Sequence, residues 1–90
     1  MRNYKISESL QKILGKLSKK DTTRFEATLK KIEEITLSAD ISHYKNLKHN
    51  LKKYKRVHID SSFVLVFRYE ERTNTVYFED LQHHDDIYKR

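Results

Sequence analysis

The sequence predicts an α+β fold in which an N-terminal strand and a two-helix hairpin pack on a small antiparallel sheet, in the order β-α-α-β-β-β. Two observations predict this arrangement: apolar residues recur at helical spacing to about residue 37, and from residue 54 they alternate or run together as in strands. There is no cysteine, and no apolar run approaches the ~18 residues of a membrane span. We expect a single cytoplasmic domain spanning residues 1–90.

The first part of the chain contains the strand and the helical hairpin. The alternation over residues 4–6 predicts a short strand. One helical stripe follows at i, i+3, i+4 and i+7, formed by Leu10, Ile13, Leu14 and Leu17. Ser7 or Ser9 can cap this helix at its start. The segment Ser18–Asp21 has the S-x-x-D form of a capping box, which predicts the start of a second helix that ends near Leu37.

The second part predicts a three-stranded antiparallel meander. Residues 54–59 alternate, so that Val57 and Ile59 face one way and Arg56 and His58 the other. The run 63–69 is almost entirely apolar, which is typical of a strand covered on both faces, and 75–81 alternates again. Three strands alone bury too little apolar surface, so the helices must cover one face. We therefore expect Arg56 and His58 on an open face.

The positive charge of the chain is concentrated in one window. The net charge of +6 is carried by residues 41–59, which contain no carboxylate, because the remainder has 13 cations and 13 anions. The six cations are Lys45, Lys48, Lys52, Lys53, Lys55 and Arg56. Histidines and tyrosines lie between them, a composition that suits a nucleic acid. Charge alone is equally compatible with a solvated, lysine-rich loop. In either case, we expect Leu47 and Leu51 to anchor the polar connector to the body of the protein.

The chain ends in LQHHDDIYKR, which invites a metal-binding interpretation. In an extended chain, the adjacent residues His83 and His84 would point to opposite faces and could not easily share an ion. Neither H-x-x-x-H nor H-E-x-x-H occurs in the sequence. We therefore expect no metal site and no cofactor.

Proton transfer is the second interpretation of these residues. If a helical turn follows the last strand, His84 and Tyr88 are i and i+4 on one face, and we expect them beside His58 and Arg56. Two imidazoles, with ordinary pKa values of about 6.5, can serve as base and acid in 2′-OH attack on a phosphodiester. A cation stabilises the charge of the phosphorane. The alternative is that His84 is an ordinary surface residue and Tyr88 a docking anchor.

Three segments of the chain resemble the YafQ branch of the RelE/ParE toxin superfamily. They are LKHNLKKYKRVHI at residues 47–59, FVLVF at 63–67 and HDDIY at 84–88. Members of that branch look like LKGxWxGYRxxHIxPDWxLIY, followed by a C-terminal HxxLF. The resemblance covers about half of the chain well, and the spacing between His58 and the terminal His84-x-x-x-Tyr88 is its most specific element.

The resemblance implies a toxin of a type II toxin–antitoxin system that cleaves messenger RNA on the ribosome without a metal. Its partners would be mRNA in the ribosomal A site and an antitoxin with an acidic segment. His58 and His84 match the active-site histidines of the family, Tyr88 its C-terminal aromatic residue, and Phe63 an RNA-contacting tryptophan. Arg56 would replace an arginine that relatives carry at the position of Val64. Ser62 and Lys45 stand where the YafQ pattern has an aspartate and a histidine.

Two other functions remain compatible with the residues. A ParE-like toxin of the same fold would inhibit DNA gyrase without needing His58 or the terminal His-x-x-x-Tyr. A non-catalytic basic nucleic-acid-binding module would need the cationic window but none of the histidines.

Overall fold

The elements follow the predicted order in a computed structural model that describes residues 1–48 and 53–86. They are β1 (Asn3–Ile6), α1 (Glu8–Lys20), α2 (Thr22–Leu37), β2 (Lys55–His58), β3 (Phe63–Glu70) and β4 (Thr75–His83), followed by a short 3-10 helix (His84–Asp86). The α+β class is confirmed. Within the described ranges, no helix is long and apolar enough to cross a membrane.

The four strands form one mixed sheet in the order β1-β4-β3-β2. The meander β2-β3-β4 is antiparallel, as predicted. The N-terminal strand β1 joins the edge of β4 in parallel, with Asn3 opposite Thr75. A parallel neighbour requires a long connection between the strands, which the helices and the rest of the sheet provide here. The sheet order places β2, with its cationic and imidazole side chains, at the edge far from β1.

Side chains that satisfy free backbone N–H groups determine where the two helices begin. Ser7 caps α1: its Oγ accepts from the N–H of Leu10 at 3.0 Å and donates to the carbonyl of Glu79 at 2.6 Å. The predicted capping box at Ser18 is wrong, because α1 continues to Lys20 and the Ser18 hydroxyl donates to a carbonyl of its own helix. Asp21 caps α2 instead, through a 3.1 Å bond from the N–H of Arg24.

The sheet is covered on both faces, but unequally. The helices cover one face, where the main core forms around Leu10, Ile35, Leu65, Phe67 and Phe78. On the opposite face, Leu47 from the connector packs with Val64, Val66 and Tyr54. The predicted anchor Leu47 is therefore confirmed, whereas Leu51 lies outside the described residues. This second cluster covers the middle of the face that was expected to be open, and beside it His58 is exposed while Arg56 and Gln82 are half-buried.

Candidate functional site

Four polar side chains lie around the second apolar cluster, on the sheet face that the helices leave uncovered. Directly paired residues in neighbouring antiparallel strands share a face, so the register defines which side chains are neighbours. The rows across β2, β3 and β4 are His58–Val64–Gln82 and Arg56–Val66–Asp80. The prediction that Arg56 and His58 share this face is consistent with that register, and β4 adds Asp80 and Gln82 to them.

Two polar atoms in these rows are buried without a hydrogen-bond partner in the described parts of the chain: Nε of Arg56 and Oε1 of Gln82. A buried polar atom without a partner costs free energy, which a ligand with the complementary group can recover. Arg56 offers a charged donor and Gln82 an acceptor. The Gln82 amide nitrogen already donates to Oδ2 of Asp80. His58 is exposed beside them.

His84 begins the 3-10 helix directly after β4, so a short helical turn does follow the last strand. Its N–H donates to the carbonyl of Ser62 at 2.8 Å, which ties this turn to the start of β3. Its Nε2 lies 3.0 Å from Oδ1 of Asp85, and about half of the side chain is exposed. Asp85 can therefore orient the imidazole of His84. The other member of the predicted pair, Tyr88, lies outside the described residues.

The ring of His83 contacts two other rings. Its ring lies edge-on to Phe63, with centroids 5.5 Å apart, and stacks on the ring of His84 at 5.2 Å. No hydrogen bond, ion pair or ring contact joins His84 to His58 within the described ranges. Because strands are spaced by about 4.8 Å, His58 is about 10 Å from Gln82, two residues before His84. The predicted residues therefore form two groups, one on the sheet face and one at the end of β4.

Arg24 on α2 links to the second group and was not singled out in the sequence. Its guanidinium lies 4.0 Å from the centroid of the Phe63 ring, and its nitrogens pair with Asp60 at 3.0 Å and Asp21 at 2.8 Å. Phe63, predicted to contact RNA, therefore has Arg24 over its ring. In the sequence, the i, i+3 spacing of Asp21 and Arg24 could have predicted their ion pair, but not the contacts of Arg24 with Asp60 and Phe63.

The carboxylate of Asp60 organises the turn between β2 and β3. Its Oδ1 accepts from the N–H groups of Ser62 at 2.8 Å and Phe63 at 3.0 Å. The bond from Ser62 contributes most to lowering the pKa of Asp60 below its ordinary value, and Arg24 lowers that pKa further, against an opposing effect of burial. Asp60 is thus an anionic anchor for Arg24, two residues before the position where the YafQ pattern has its aspartate.

The lysines of the basic window differ in exposure and in the contacts that they make. Lys45, Lys48 and Lys53 are exposed, and the ammonium of Lys53 lies 5.2 Å from the centroid of the Tyr54 ring. The ammonium of Lys55 instead donates to the carbonyl of Tyr44 at 3.1 Å and to Oδ1 of Asn46 at 3.0 Å. Lys55 therefore holds the connector against β2. The remaining predicted lysine, Lys52, lies outside the described residues.

Comparison with known proteins places this fold among toxins. The chain is 56% identical over 90 residues to a protein of Methanocaldococcus jannaschii that carries the provisional name toxin RelE4, covering all of this chain and 94% of that protein. It is 44% identical over 84 residues to an uncharacterised protein of Methanosarcina mazei, covering 93% and 95% of the two chains. No protein-family model matches the sequence.

Solved structures share the fold at lower identity. The YoeB/ParE toxin of Agrobacterium tumefaciens has a TM-score of 0.77 at 14% identity, covering 91% of this chain and 98% of its own. A metal-bound toxin of Helicobacter pylori has 0.75 at 22%, covering 98% and 100%. The toxin of the intact Escherichia coli RelBE toxin–antitoxin complex has 0.72 at 20%, covering 92% and 96%.

The identity to the RelE4 protein, over the whole chain, shows the family: the chain belongs to the RelE/ParE toxin superfamily. Its structural neighbours include a toxin that was solved together with its antitoxin.

Proposed function

We propose that this toxin is a ribosome-dependent mRNA endonuclease that cleaves by attack of the 2′-OH and needs no metal for catalysis. The observation that carries the proposal is the composition of the sheet face opposite the helices. There, an exposed imidazole at His58 stands two residues from a guanidinium at Arg56, whose Nε has no partner in the described chain. Phosphodiester cleavage requires both kinds of group, a proton carrier and a fixed cation.

The reaction divides between these residues as follows. One imidazole, of His58 or His84, removes the proton of the 2′-hydroxyl as O2′ bonds to phosphorus. The other imidazole gives a proton to the leaving O5′ as the P–O5′ bond breaks, which yields a 2′,3′-cyclic phosphate and a 5′-hydroxyl. Arg56 stabilises the charge of the phosphorane. Tyr88 contributes as the aromatic contact at the end of the chain.

Asp85 supports the role of His84 in this scheme. When Nε2 of His84 carries hydrogen, Asp85 accepts it at 3.0 Å and leaves Nδ1 free to take the proton of the 2′-hydroxyl. When the ring is protonated, the same carboxylate stabilises the imidazolium. The two imidazole groups do not contact each other, which leaves space between them for the phosphodiester of a substrate that the ribosome positions. Such a substrate implies action in the cytoplasm.

The basic window supplies the electrostatic part of the proposal. Lys45, Lys48, Lys52 and Lys53 contact the phosphates of mRNA in the ribosomal A site, and Phe63 contacts a base at the edge of its ring. An antitoxin with an acidic segment neutralises the same surface and folds on it. Mixing the toxin with the product of an adjacent reading frame should yield a complex in sizing chromatography, and its absence counts against this partner.

The decisive variant is His84→Ala, with His43→Ala as the matched control because His43 is an exposed imidazole in the connector, away from β4. Each protein is added to translating ribosomes, and the ends of the transcripts are mapped. We expect cyclic-phosphate ends with wild type and His43→Ala. For His84→Ala we expect cleavage slower by at least about 100-fold, as for loss of a general acid or base, with an unchanged melting curve.

Other outcomes assign other functions. Cleavage that is unaltered in His84→Ala overturns the assignment of the residue. Inhibition of DNA gyrase by wild type, without RNA cleavage, would make this a ParE-like toxin. RNA affinity without cleavage or gyrase inhibition would make it a basic binding module.

A further inference from the structure

The end of β4 brings together three side chains that can ligate a metal ion. His83, His84 and Asp85 each offer one ligand atom, and these atoms all lie within 4.8 Å of one another. The expectation that adjacent histidines point apart assumed an extended chain. The chain instead turns into the 3-10 helix at His84, and the two rings stack with an interplanar angle of 27°.

We propose that His83, His84 and Asp85 form a site for a divalent transition metal ion, and that its occupancy inhibits the toxin by engaging His84. The binding part stands on geometry alone, and the inhibition rests on the proposed function. Two imidazoles and one carboxylate are ligands that suit Zn²⁺, Ni²⁺ or Cu²⁺.

Two of the distances within this His-His-Asp cluster are close to those of a coordination shell. Ligand atoms about 2.0–2.1 Å from a tetrahedral metal are about 3.3 Å from one another. Oδ1 of Asp85 is 3.0 Å from Nε2 of His84, and Oδ2 of Asp85 is 3.5 Å from Nδ1 of His83. An ion can therefore contact all three side chains after small rotations of exposed groups.

Two neighbouring contacts hold the ring of His83 in place. The backbone N–H of Asp85 donates to Nδ1 of His83 at 3.2 Å, so this nitrogen is an acceptor, and an ion that binds it displaces one long hydrogen bond. The ring of Phe63 packs against the ring of His83, and the backbone N–H of His84 donates to the carbonyl of Ser62. Two of the three ligands are thus held before an ion arrives, which lowers the entropic cost of binding it.

Binding of a metal ion would change the chemistry of His84 while the residue stays in place. A metal ion takes the Nε2 lone pair of His84 and the Asp85 carboxylate that orients this ring. When Nε2 is bound to the metal, the neutral ring of His84 carries its hydrogen on Nδ1. This nitrogen can then no longer accept the proton of the 2′-hydroxyl. His83 has no role in the proposed cleavage, so a change at His83 separates binding of metal from catalysis.

The test is a titration of the full-length, chelator-treated toxin with NiCl₂ alone, followed by calorimetry and by paramagnetic broadening of the imidazole signals. We expect one ion per chain and selective broadening of His83 and His84. His83→Ala and Asp85→Asn should each weaken binding by at least about tenfold. His43→Ala, which removes an imidazole outside the cluster, should bind as wild type.

The second readout is RNA cleavage with and without Ni²⁺. Inhibition of wild type, but not of His83→Ala, supports the regulatory role. Absent binding, or binding that is equal in His83→Ala and wild type, overturns the site. If the metal-free toxin does not cleave RNA at all, the proposed function fails while the calorimetric result for the site still stands. Active wild type that binds Ni²⁺ but is not inhibited overturns the regulatory role alone.

Discussion

The guanidinium of Arg24 lies 4.0 Å from the centroid of the Phe63 ring, and its Nε pairs with Asp60 at 3.0 Å. Through these contacts, α2 is joined to both ends of the turn that connects β2 and β3. Phe63 in turn contacts His83, whose ring stacks on His84. A series of contacts therefore connects α2 to His84, the proposed catalytic histidine. The contacts of Arg24, which begin this series, can be tested by measuring the free energy of unfolding.

We expect Arg24→Ala to lower the free energy of unfolding by about 1–2 kcal/mol, since it removes two partly buried ion pairs and the contact with Phe63. Arg24→Lys keeps the charge but loses the planar contact, so it should recover less than half of this loss. Lys31→Ala, which removes one i, i+3 pair with Glu34, is the matched control and should change stability by less than about 0.5 kcal/mol. Urea unfolding measures all three. Equal effects of Arg24→Ala and Lys31→Ala would contradict the role of Arg24.

Ser7 and Ser9 provide a test of how α1 begins. Ser7→Ala removes the helix cap and the bond to Glu79 that joins α1 to β4, so it should cost about 1–2 kcal/mol. Ser9→Ala changes an exposed hydroxyl one residue inside the helix and should cost less than about 0.5 kcal/mol. Thermal unfolding of the two variants distinguishes them, and a larger loss for Ser9→Ala would show that the cap is misplaced.

The acid dependence of stability should contain a contribution from Asp60. The N–H of Ser62 and the guanidinium of Arg24 lower the pKa of Asp60 in the folded chain. A carboxyl group with a lowered folded pKa stabilises the fold above its ordinary value of 3.8, and this stabilisation is lost as pH falls through the folded pKa. Wild type should therefore lose stability more steeply than Asp60→Asn on acidification below about pH 4.

Asp40 should make a second contribution to the acid dependence of stability. The hydroxyl and the N–H of Ser42 hold the pKa of Asp40 below its ordinary value. Asp40→Asn should therefore also flatten the acid limb, and the double variant should flatten it more than either alone. Unfolding free energies measured between pH 3 and pH 6 check both expectations, and parallel curves for wild type and the variants would rule out these carboxyl groups as the source.

Lys53 should contribute to RNA affinity through its charge. In a His84→Ala background, which prevents cleavage, Lys53→Ala should reduce the slope of log affinity against log salt by about 0.7 for single-stranded RNA. Lys19→Ala removes an exposed cation at the end of α1, outside the basic window, and should leave the slope unchanged. Fluorescence anisotropy with a labelled oligonucleotide measures these slopes. Identical losses for Lys53 and Lys19 would indicate that only total charge matters.

Sequence reasoning predicted the site in part. The shared face of Arg56 and His58 followed from the two-residue period, whereas the helical turn at His84 was only a condition for its pairing with Tyr88. The partners Gln82 and Asp80 were not predicted, because their alignment with β2 depends on the register of two hairpins. The second helix start was assigned to the wrong residue, since local spacing alone did not reveal that α1 extends to Lys20.

The sequence by itself determined the order of the elements, the antiparallel meander and the position of the positive charge. These properties depend on the period of apolar residues, on short turns and on local composition, all of which are read along the chain. Only the tertiary structure decided that β1 joins β4 in parallel, that Leu47 covers the centre of the second sheet face, and that His83 and His84 stack. Each of these depends on contacts between segments distant in sequence or on the exact bend at a strand end. Periodicity does not encode such contacts, because many packings bury the same apolar faces.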